Sequence, residues 1–230
     1  MNVVIIGATQ GLGLELTKKF LTEGHRVAAG FRERDIPDIL AELCKQYGEN
    51  LLVFKSDVTD ESEVLHGSRA CVEFLGEIDA VCNVAGVLLP GDRVNKIHEC
   101  DTEELRKTFD VNFFGAVYVA KAFYPVMKRG GALMTVTSEG VGVDNCGTWV
   151  PCYGLSKTAA TKISGMFNAA VDDVDFYSIH PGRMNTEMGR TTAQIEASDS
   201  AEGIYSLLTG KKRISRDCWY IDYTGEPMEA

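Results

Sequence analysis

The sequence predicts an α/β protein whose single domain, residues 1–230, is built on a doubly wound parallel sheet of seven strands with helices on both faces. Short apolar runs alternate along the chain with longer segments of helical period. Most of these runs are apolar at successive positions, which is typical of parallel strands that helices cover on both sides. A chain of 230 residues is long enough for one such domain with a buried core.

Seven short apolar runs are interpreted as strands, at 2–6, 26–31, 51–55, 78–84, 131–137, 174–180 and 218–222. Six segments between them are predicted helices, at 11–23, 37–47, 60–75, 102–128, 152–171 and 199–209. Asp101 with Glu104, and Asp199 with Glu202, place an acceptor and an acid where a helix begins. The repeated strand–helix–strand order predicts right-handed crossovers. Longer loops at about 85–101 and 182–198 are expected to carry the substrate, because such sheets bind ligands beyond the carboxyl ends of their strands.

Composition excludes several classes of function. Acidic residues outnumber basic ones 33 to 23, and a net charge of -10 argues against a nucleic-acid partner. The seven cysteines show no C-x-x-C pair and no metal-ligand spacing, which predicts reduced thiols, no metal and a cytoplasmic location. Without an eighteen-residue apolar run or a charged leader, no membrane association is expected.

A glycine-rich turn, Gly7-Ala8-Thr9-Gln10-Gly11-Leu12-Gly13, directly follows the first predicted strand and precedes a helix. Glycines let the backbone approach a pyrophosphate, and a helix N-terminus offers free N–H groups and partial positive charge. Three glycines after a strand are also compatible with a purely structural turn. Their position in the first strand–helix turn of an α/β chain favours a dinucleotide cofactor.

Tyr153 and Lys157 are four residues apart and therefore share one face of a predicted helix. An adjacent ammonium favours the phenolate and is expected to lower the tyrosine pKa, making Tyr153 a candidate acid/base. Ser138 ends the fifth strand, from which its hydroxyl can reach the same cleft. Each residue alone has an ordinary structural interpretation, but together, beside a cofactor turn, they indicate catalysis.

The ordered set of motifs resembles the short-chain dehydrogenase/reductase family over essentially the whole chain. The motifs are the glycine turn, Asn83-Val84-Ala85-Gly86, Asn112, Ser138, the Tyr153/Lys157 pair, and Pro181-Gly182 followed by Thr186. The short spacing to the chain end is similar to the C-factor-like and sniffer-like carbonyl-reductase branch. Three departures are Ile6 before the first glycine, Val84 in place of a second asparagine, and a slightly long loop at 139–152.

The resemblance implies a Rossmann fold and specific roles. Tyr153 would exchange the proton with the carbonyl or alcohol oxygen, Lys157 would bind ribose hydroxyls, Ser138 would hold the substrate oxygen, and Asn112 would anchor a water. Asp57 would meet the adenine, Ala85 and Gly86 the adenosine ribose, and the backbone after Pro181 with Thr186 the carboxamide. The expected cofactor-binding set is Gly7, Thr9, Gln10, Gly11, Leu12, Gly13, Arg32, Asp57, Val58, Asn83, Ala85, Gly86, Tyr153, Lys157, Pro181, Gly182 and Thr186.

The end of the second strand bears on cofactor choice. Phe31 stands where an NAD-selecting acid is expected, and Arg32 follows, able to pair with a 2′-phosphate. Gln10 stands where NADP users are often basic, and Arg32 is also compatible with a plain surface role. NADP is the expected cofactor, with NAD still open.

The expected substrate is a small ketone or aldehyde, or the corresponding alcohol. An apolar cleft could be lined by Leu88, Leu89, Val143, Trp149, Met184 and Met188, which could equally pack on the core. The alternative function is a cofactor-sensing or signalling protein with little turnover. The complete catalytic set disfavours it, and the chain has no room for the substrate domain of an epimerase. A homodimer or homotetramer is expected, paired through the helices at 102–128 and 152–171.

Overall fold

The centre of the fold is one parallel sheet of seven strands. The computed structural model describes residues 1–140, 142, 147, 149–189 and 193–229. The strands of this sheet are β1 Asn2–Ile6, β2 Arg26–Phe31, β3 Leu51–Lys55, β4 Ile78–Asn83, β5 Met127–Val136, β6 Val174–His180 and β9 Tyr220–Asp222, and they lie side by side in the order β3-β2-β1-β4-β5-β6-β9. Two further strands, β7 Met184–Asn185 and β8 Ile195–Glu196, pair with each other beyond the sheet. The predicted seven-stranded, doubly wound domain is confirmed.

Helices cover both faces because both faces of the strands are apolar. They are α1 Gly11–Thr22, α2 Asp38–Tyr47, α3 Glu61–Leu75, α4 Thr102–Phe109, α5 Gly115–Phe123, α6 Pro151–Ala170 and α7 Ala197–Leu208. In β1, Ile5 packs into the core beneath α1 and α7, while Ile6 packs into the core beneath α3, α5 and α6. Both side chains are fully buried, so neither face of the central strand is available to solvent.

The strand order reverses between β1 and β4, which places a crevice at their carboxyl ends. The chain runs outward from β1 through β2 to β3 and then returns to β4 on the other side of β1. The loops that leave the two central strands therefore separate. The glycine turn and the Asn83–Gly86 motif begin at this point, which is where the cofactor was expected.

The prediction of one long helix at 102–128 is wrong in two respects, because the helix ends earlier than predicted and is not continuous. Its α-helical part ends at Phe123, and a 3₁₀ turn at Tyr124–Val126 contains Pro125, which has no N–H to continue the helix. β5 consequently begins at Met127, four residues earlier than predicted. A π-helical turn at Asp110–Phe114 separates α4 from α5.

The last predicted helix also begins earlier than expected. It starts at Ala197, and Glu196 is the N-terminal cap, where Asp199 had been predicted. The Asp199 carboxylate accepts a hydrogen bond from Glu196 N at 2.9 Å, so it is the reciprocal partner in the capping box. Asp101 caps α4, as predicted, because its side chain accepts a hydrogen bond from Glu103 N.

Three properties of the described residues bear on location and metal binding. Their helices include none with the length and apolar character needed to cross a bilayer. Six cysteines are free thiols, and the seventh, Cys146, lies outside the described residues. No group of three or more His, Cys, Asp or Glu side chains within the described ranges is arranged to hold a metal ion.

Candidate active site

A cavity of about 470 Å³ lies at the carboxyl ends of the central strands. Most of the expected cofactor-binding residues line it: Gly7, Thr9, Gln10, Gly11, Leu12, Arg32, Asp57, Val58, Ala85, Gly86, Tyr153, Lys157, Pro181 and Thr186. Residues from the first turn, from the ends of β2 and β3, and from α6 thus meet in one space. The cavity therefore extends from the ends of β2 and β3 to α6.

The geometry of the glycine turn fits a pyrophosphate. Gly7 has φ +84°, a conformation that other residues rarely adopt, and this lets the chain turn sharply out of β1. A Cβ on Gly13 would lie 2.0 Å from Gly7 O, so Gly13 allows α1 to start close to the turn. No side chain caps α1, and its first turn carries no acidic residue. The free N–H groups and positive end of α1 therefore suit an anion at this edge of the cavity.

Three expected cofactor residues do not line this cavity. Gly13 acts in packing, as its close approach to Gly7 shows. Asn83 is 2% exposed within β4, in register with Ile6 and Thr135. Gly182 lines a second, neighbouring cavity instead. Asn83 and Gly13 therefore pack beneath the crevice and do not form its surface.

Tyr153 and Lys157 lie one helical turn apart on α6 and face the first cavity together. Lys157 Nζ lies 5.7 Å from the centroid of the Tyr153 ring and donates a hydrogen bond to Val136 O at 2.8 Å. Ser138, just beyond β5, hydrogen-bonds to the Tyr153 side chain. Tyr220 in β9 donates to Ser138 O at 2.5 Å and so fixes the serine backbone. Three of the four expected catalytic side chains, those of Ser138, Tyr153 and Lys157, thus lie together.

Burial sets the pKa of both ionisable groups. It raises the pKa of Tyr153 to about 12, with the hydrogen bond from Ser138 acting in the opposite direction. It lowers the pKa of Lys157 to about 8. The expectation that Lys157 lowers the tyrosine pKa is therefore corrected, because loss of hydration disfavours each charged form and is the largest cause of each shift. Tyr153 is a protonated phenol near neutrality, which is the state of a proton donor.

Asn112 lies in the π-helical turn between α4 and α5 and is 2% exposed. Its Oδ1 accepts from Val87 N at 2.8 Å, and its Nδ2 donates to Val87 O and to Ser156 Oγ. The side chain thus ties the loop after β4 to α6. Both Nδ2 hydrogens are therefore used, and a water at Asn112 could be bound only by the second lone pair of Oδ1 or by the main chain, whose pattern a π-turn alters.

Several lining residues were not predicted from the sequence. Ser56 directly follows β3, and its N–H donates to Phe31 O at 2.7 Å. Its buried hydroxyl has no partner among the described residues. Glu33 follows Arg32, and its Oε2 accepts from Arg32 N at 3.1 Å. Ser56 and Glu33 both lie shortly after the carboxyl end of a strand, and this position in the sequence could have identified them. Val84, Val87, Val111, Val136, Thr137, Asn185 and Glu187 complete this unpredicted set.

A second cavity of about 620 Å³ adjoins the first at Tyr153, which lines both. Leu88, Trp149, Met184 and Met188 line it, in agreement with the predicted apolar cleft. Leu89 does not line it, and Val143 lies outside the described residues. The sequence did not indicate the remaining large side chains of this wall, which include Arg93, Ile97, Leu155 and His180.

A family model described as short chain dehydrogenase matches residues 1–197. The match covers well over half of the chain and includes the glycine turn and the Tyr153/Lys157 pair. The chain belongs to the short-chain dehydrogenase/reductase family, as its motifs predicted, and is an oxidoreductase that uses a nicotinamide dinucleotide.

Individual relatives are similar in sequence and in structure. The 2,3-dihydro-2,3-dihydroxybenzoate dehydrogenase of Bacillus subtilis is 30% identical over 190 residues, which cover 80% of this chain and 70% of that protein. The carbonyl reductase Sniffer of D. melanogaster has a TM-score of 0.89 at 20% identity, covers 100% of both chains, and shows the common fold. A carbonyl reductase of Pseudomonas aeruginosa PAO1 in complex with NADP has a TM-score of 0.82 at 25% identity, covering 100% of this chain and 99% of that one.

Proposed function

We propose that the protein reduces the carbonyl of a ketone or aldehyde to an alcohol with NADPH, and that Tyr153 supplies the proton. The observation that carries this proposal is the position of Tyr153 at the junction of two cavities, one bounded by the glycine turn and one mainly apolar. The likeness to a carbonyl reductase described in complex with NADP supports both the chemistry and the cofactor.

Each part of the candidate active site would have a separate role in this reaction. When bound, the nicotinamide cofactor would supply the hydride. The free N–H groups of α1 would bind its pyrophosphate, and Pro181 with Thr186 would hold its carboxamide end. Ser138 would hold the carbonyl oxygen, and Tyr153 would give its phenolic proton to that oxygen. Lys157 would bind ribose hydroxyls, because its Nζ lines the same cavity as the tyrosine.

The second cavity indicates an apolar substrate. A volume of about 620 Å³ lies within the range of sites for drug-sized ligands. Leucine, isoleucine, tryptophan and methionine side chains form much of its wall, and the charged pair Arg183–Glu139 is joined at 2.6 Å. Arg93 is the other charged side chain of this wall, and its Nη2 donates to Met188 O. We therefore propose a ketone or aldehyde with a largely apolar body, with the substrate loop at about 182–198 forming part of its site.

The experiment that tests this function is a panel of apolar ketones and aldehydes with NADPH and NADH, followed by loss of reduced-cofactor absorbance. We expect turnover with at least one compound and a preference for NADPH. Tight NADPH binding with no turnover on any compound would contradict the reductase and favour the cofactor-sensing alternative.

Arg32→Asp is expected to move cofactor preference from NADPH toward NADH. Arg32 lines the cavity at the end of β2, whereas the exposed Arg34 does not, so a neighbouring cation is not positioned to replace it. Charge-assisted hydrogen bonds contribute roughly 1.5–3 kcal/mol, so kcat/KM with NADPH should fall by about tenfold or more. Steady-state kinetics with both cofactors measure this change.

Two further variants make the cofactor test specific. Glu33→Gln should raise NADPH affinity, because its carboxylate shares the cavity edge with Arg32 and would repel a 2′-phosphate. Arg34→Ala is the matched control and should leave the ratio of kcat/KM with NADPH to kcat/KM with NADH unchanged. A wild-type preference for NADH would overturn the NADP assignment while leaving the family unchanged.

We also propose that the protein is a homodimer or homotetramer and that it is cytoplasmic. Phe114, which directly precedes α5, and Met166 on α6 are 43% and 64% exposed, which suits pairing of two copies through this part of the structure. The six free cysteines support a cytoplasmic location, where thiols remain reduced. Light scattering of the purified protein should give the mass of a dimer or tetramer.

A further inference from the structure

The catalytic helix α6 begins without a cap of its own. Its N-terminal flanking residue, Val150, has φ +48°, in the left-handed region, and makes no side-chain hydrogen bond to the helix. Pro151 follows at the first helical position and has no N–H. The next N–H groups, those of Cys152 and Tyr153, still need acceptors, because the first turn of a helix has none within the helix.

Asp92 supplies both acceptors from a distant part of the chain. Its Oδ1 accepts from Cys152 N at 2.7 Å, and its Oδ2 accepts from Tyr153 N at 2.8 Å. Asp92 is only 1% exposed, so the carboxylate is withdrawn from water onto the positive end of α6. A buried carboxylate is costly unless it is well bonded, and here both oxygens meet backbone donors.

The short turn that carries Asp92 is itself fixed on two sides. A Cβ on Gly91 would lie 2.2 Å from Glu104 Oε2, so the turn sits tightly against α4. Arg93 Nη2 donates to Met188 O at 2.6 Å in the substrate loop. The 3₁₀ turn Gly91–Arg93 therefore joins α4, the substrate loop and the start of α6.

We propose that Asp92 is a positioning residue that sets the place of the Tyr153 hydroxyl by holding the main chain of Tyr153, a role that rests on the proposed function of this tyrosine. The hydrogen bond from Tyr153 N to Asp92 Oδ2 is direct, so a change at Asp92 acts on the Tyr153 backbone without an intervening residue. Proton transfer requires the donor within hydrogen-bond reach of the substrate oxygen. A displacement of about 1 Å at such a group can cost about 10²-fold in rate.

The test compares Asp92→Ala with Asp92→Asn and with a matched control. In Asp92→Ala both acceptors are lost, and we expect kcat to fall by about tenfold to a hundredfold while the Kd of NADPH stays within about threefold. Asp92→Asn keeps one carbonyl oxygen and should recover part of kcat. Asp60→Ala is the control: Asp60 Oδ1 likewise accepts two backbone N–H groups, from Ser62 and Glu63, but at the start of α3. It should leave kcat unchanged.

Hydrogen exchange separates this proposal from the proposed function. In Asp92→Ala, or in Asp92→Asn if the alanine variant does not fold, the amides of 152–156 should exchange faster than in wild type, while α3 is unchanged. Unchanged exchange at the start of α6, or a kcat equal to that of wild type, would overturn the role of Asp92. A wild-type protein without carbonyl turnover would refute the proposed function, and the exchange result alone would then decide whether Asp92 holds this helix.

Discussion

Tyr153→Phe should lower carbonyl reduction by about 10²–10⁴-fold, because the variant lacks the only proposed proton donor at the junction of the two cavities. Its ring still fills the same space, and Lys157 is retained, so NADPH affinity should change by less than about threefold. Single-turnover assays and cofactor titration measure the two effects separately. More than a tenth of wild-type activity in this variant would exclude Tyr153 as the acid.

Tyr177→Phe is the matched control for this result. Tyr177 is also buried, and burial likewise raises its pKa to about 12, but it lines neither cavity. Removing its hydroxyl should leave kcat close to that of wild type. A comparable loss in both variants would show that the effect of Tyr153→Phe is structural.

The raised pKa of Tyr153 also fixes the direction of the pH dependence. Reduction uses the protonated phenol, which prevails at all pH values well below about 12. Oxidation of an alcohol uses the phenolate, so its rate should rise through the alkaline range. Ser138→Ala removes the hydrogen bond that acts against the burial effect and should move that rise to higher pH.

Lys157→Met should abolish most activity and yet stabilise the fold near neutral pH. The pKa of Lys157 in the folded protein is about 8, below its ordinary value of 10.5, so folding with a charged lysine costs free energy below pH 8. This cost shrinks as pH rises from about 8 to about 10.5. Methionine avoids it, although the hydrogen bond to Val136 O is lost. We expect a gain of about 1–2 kcal/mol at pH 7, or about 2–8 °C in Tm.

Thermal unfolding of Lys157→Met and wild type between pH 6 and about pH 10 checks this prediction. The difference in Tm should be largest at the acidic end and should disappear at the alkaline end. A Tm below that of wild type at pH 7 would contradict it. Lys162→Met, a change on the same helix at an exposed position, is the control and should show no such pH dependence.

Features that depend on local sequence were predictable. The strand runs are apolar at adjacent positions because both faces of the sheet are covered, and they therefore identify β1 and β6 closely. The glycine turn is defined by backbone conformation at Gly7 and close packing at Gly13, which only glycine allows. Tyr153 and Lys157 are one turn apart on a helix, so their spacing alone places them together.

Features that depend on tertiary contacts were not predictable. Asp92 bonds to the backbone of residues 60 and 61 positions further along the chain, and no local pattern marks it. The direction of the Tyr153 pKa shift follows from burial, whereas the spacing to Lys157 indicated the opposite direction.

Pro125 was a visible signal that the helical pattern must end, and the apolar periodicity of the surrounding residues obscured it.

Transfer of deuterium from the cofactor to the product tests the central claim most directly. Wild-type protein would be supplied with NADPH carrying deuterium at the transferable position of the nicotinamide, together with an apolar ketone that the panel identifies. The account predicts a product alcohol that carries one deuterium on the former carbonyl carbon and forms in step with loss of reduced cofactor. With Tyr153→Phe the same product should form about 10²–10⁴-fold more slowly. An alcohol product without deuterium, or loss of reduced cofactor without an alcohol, would contradict it.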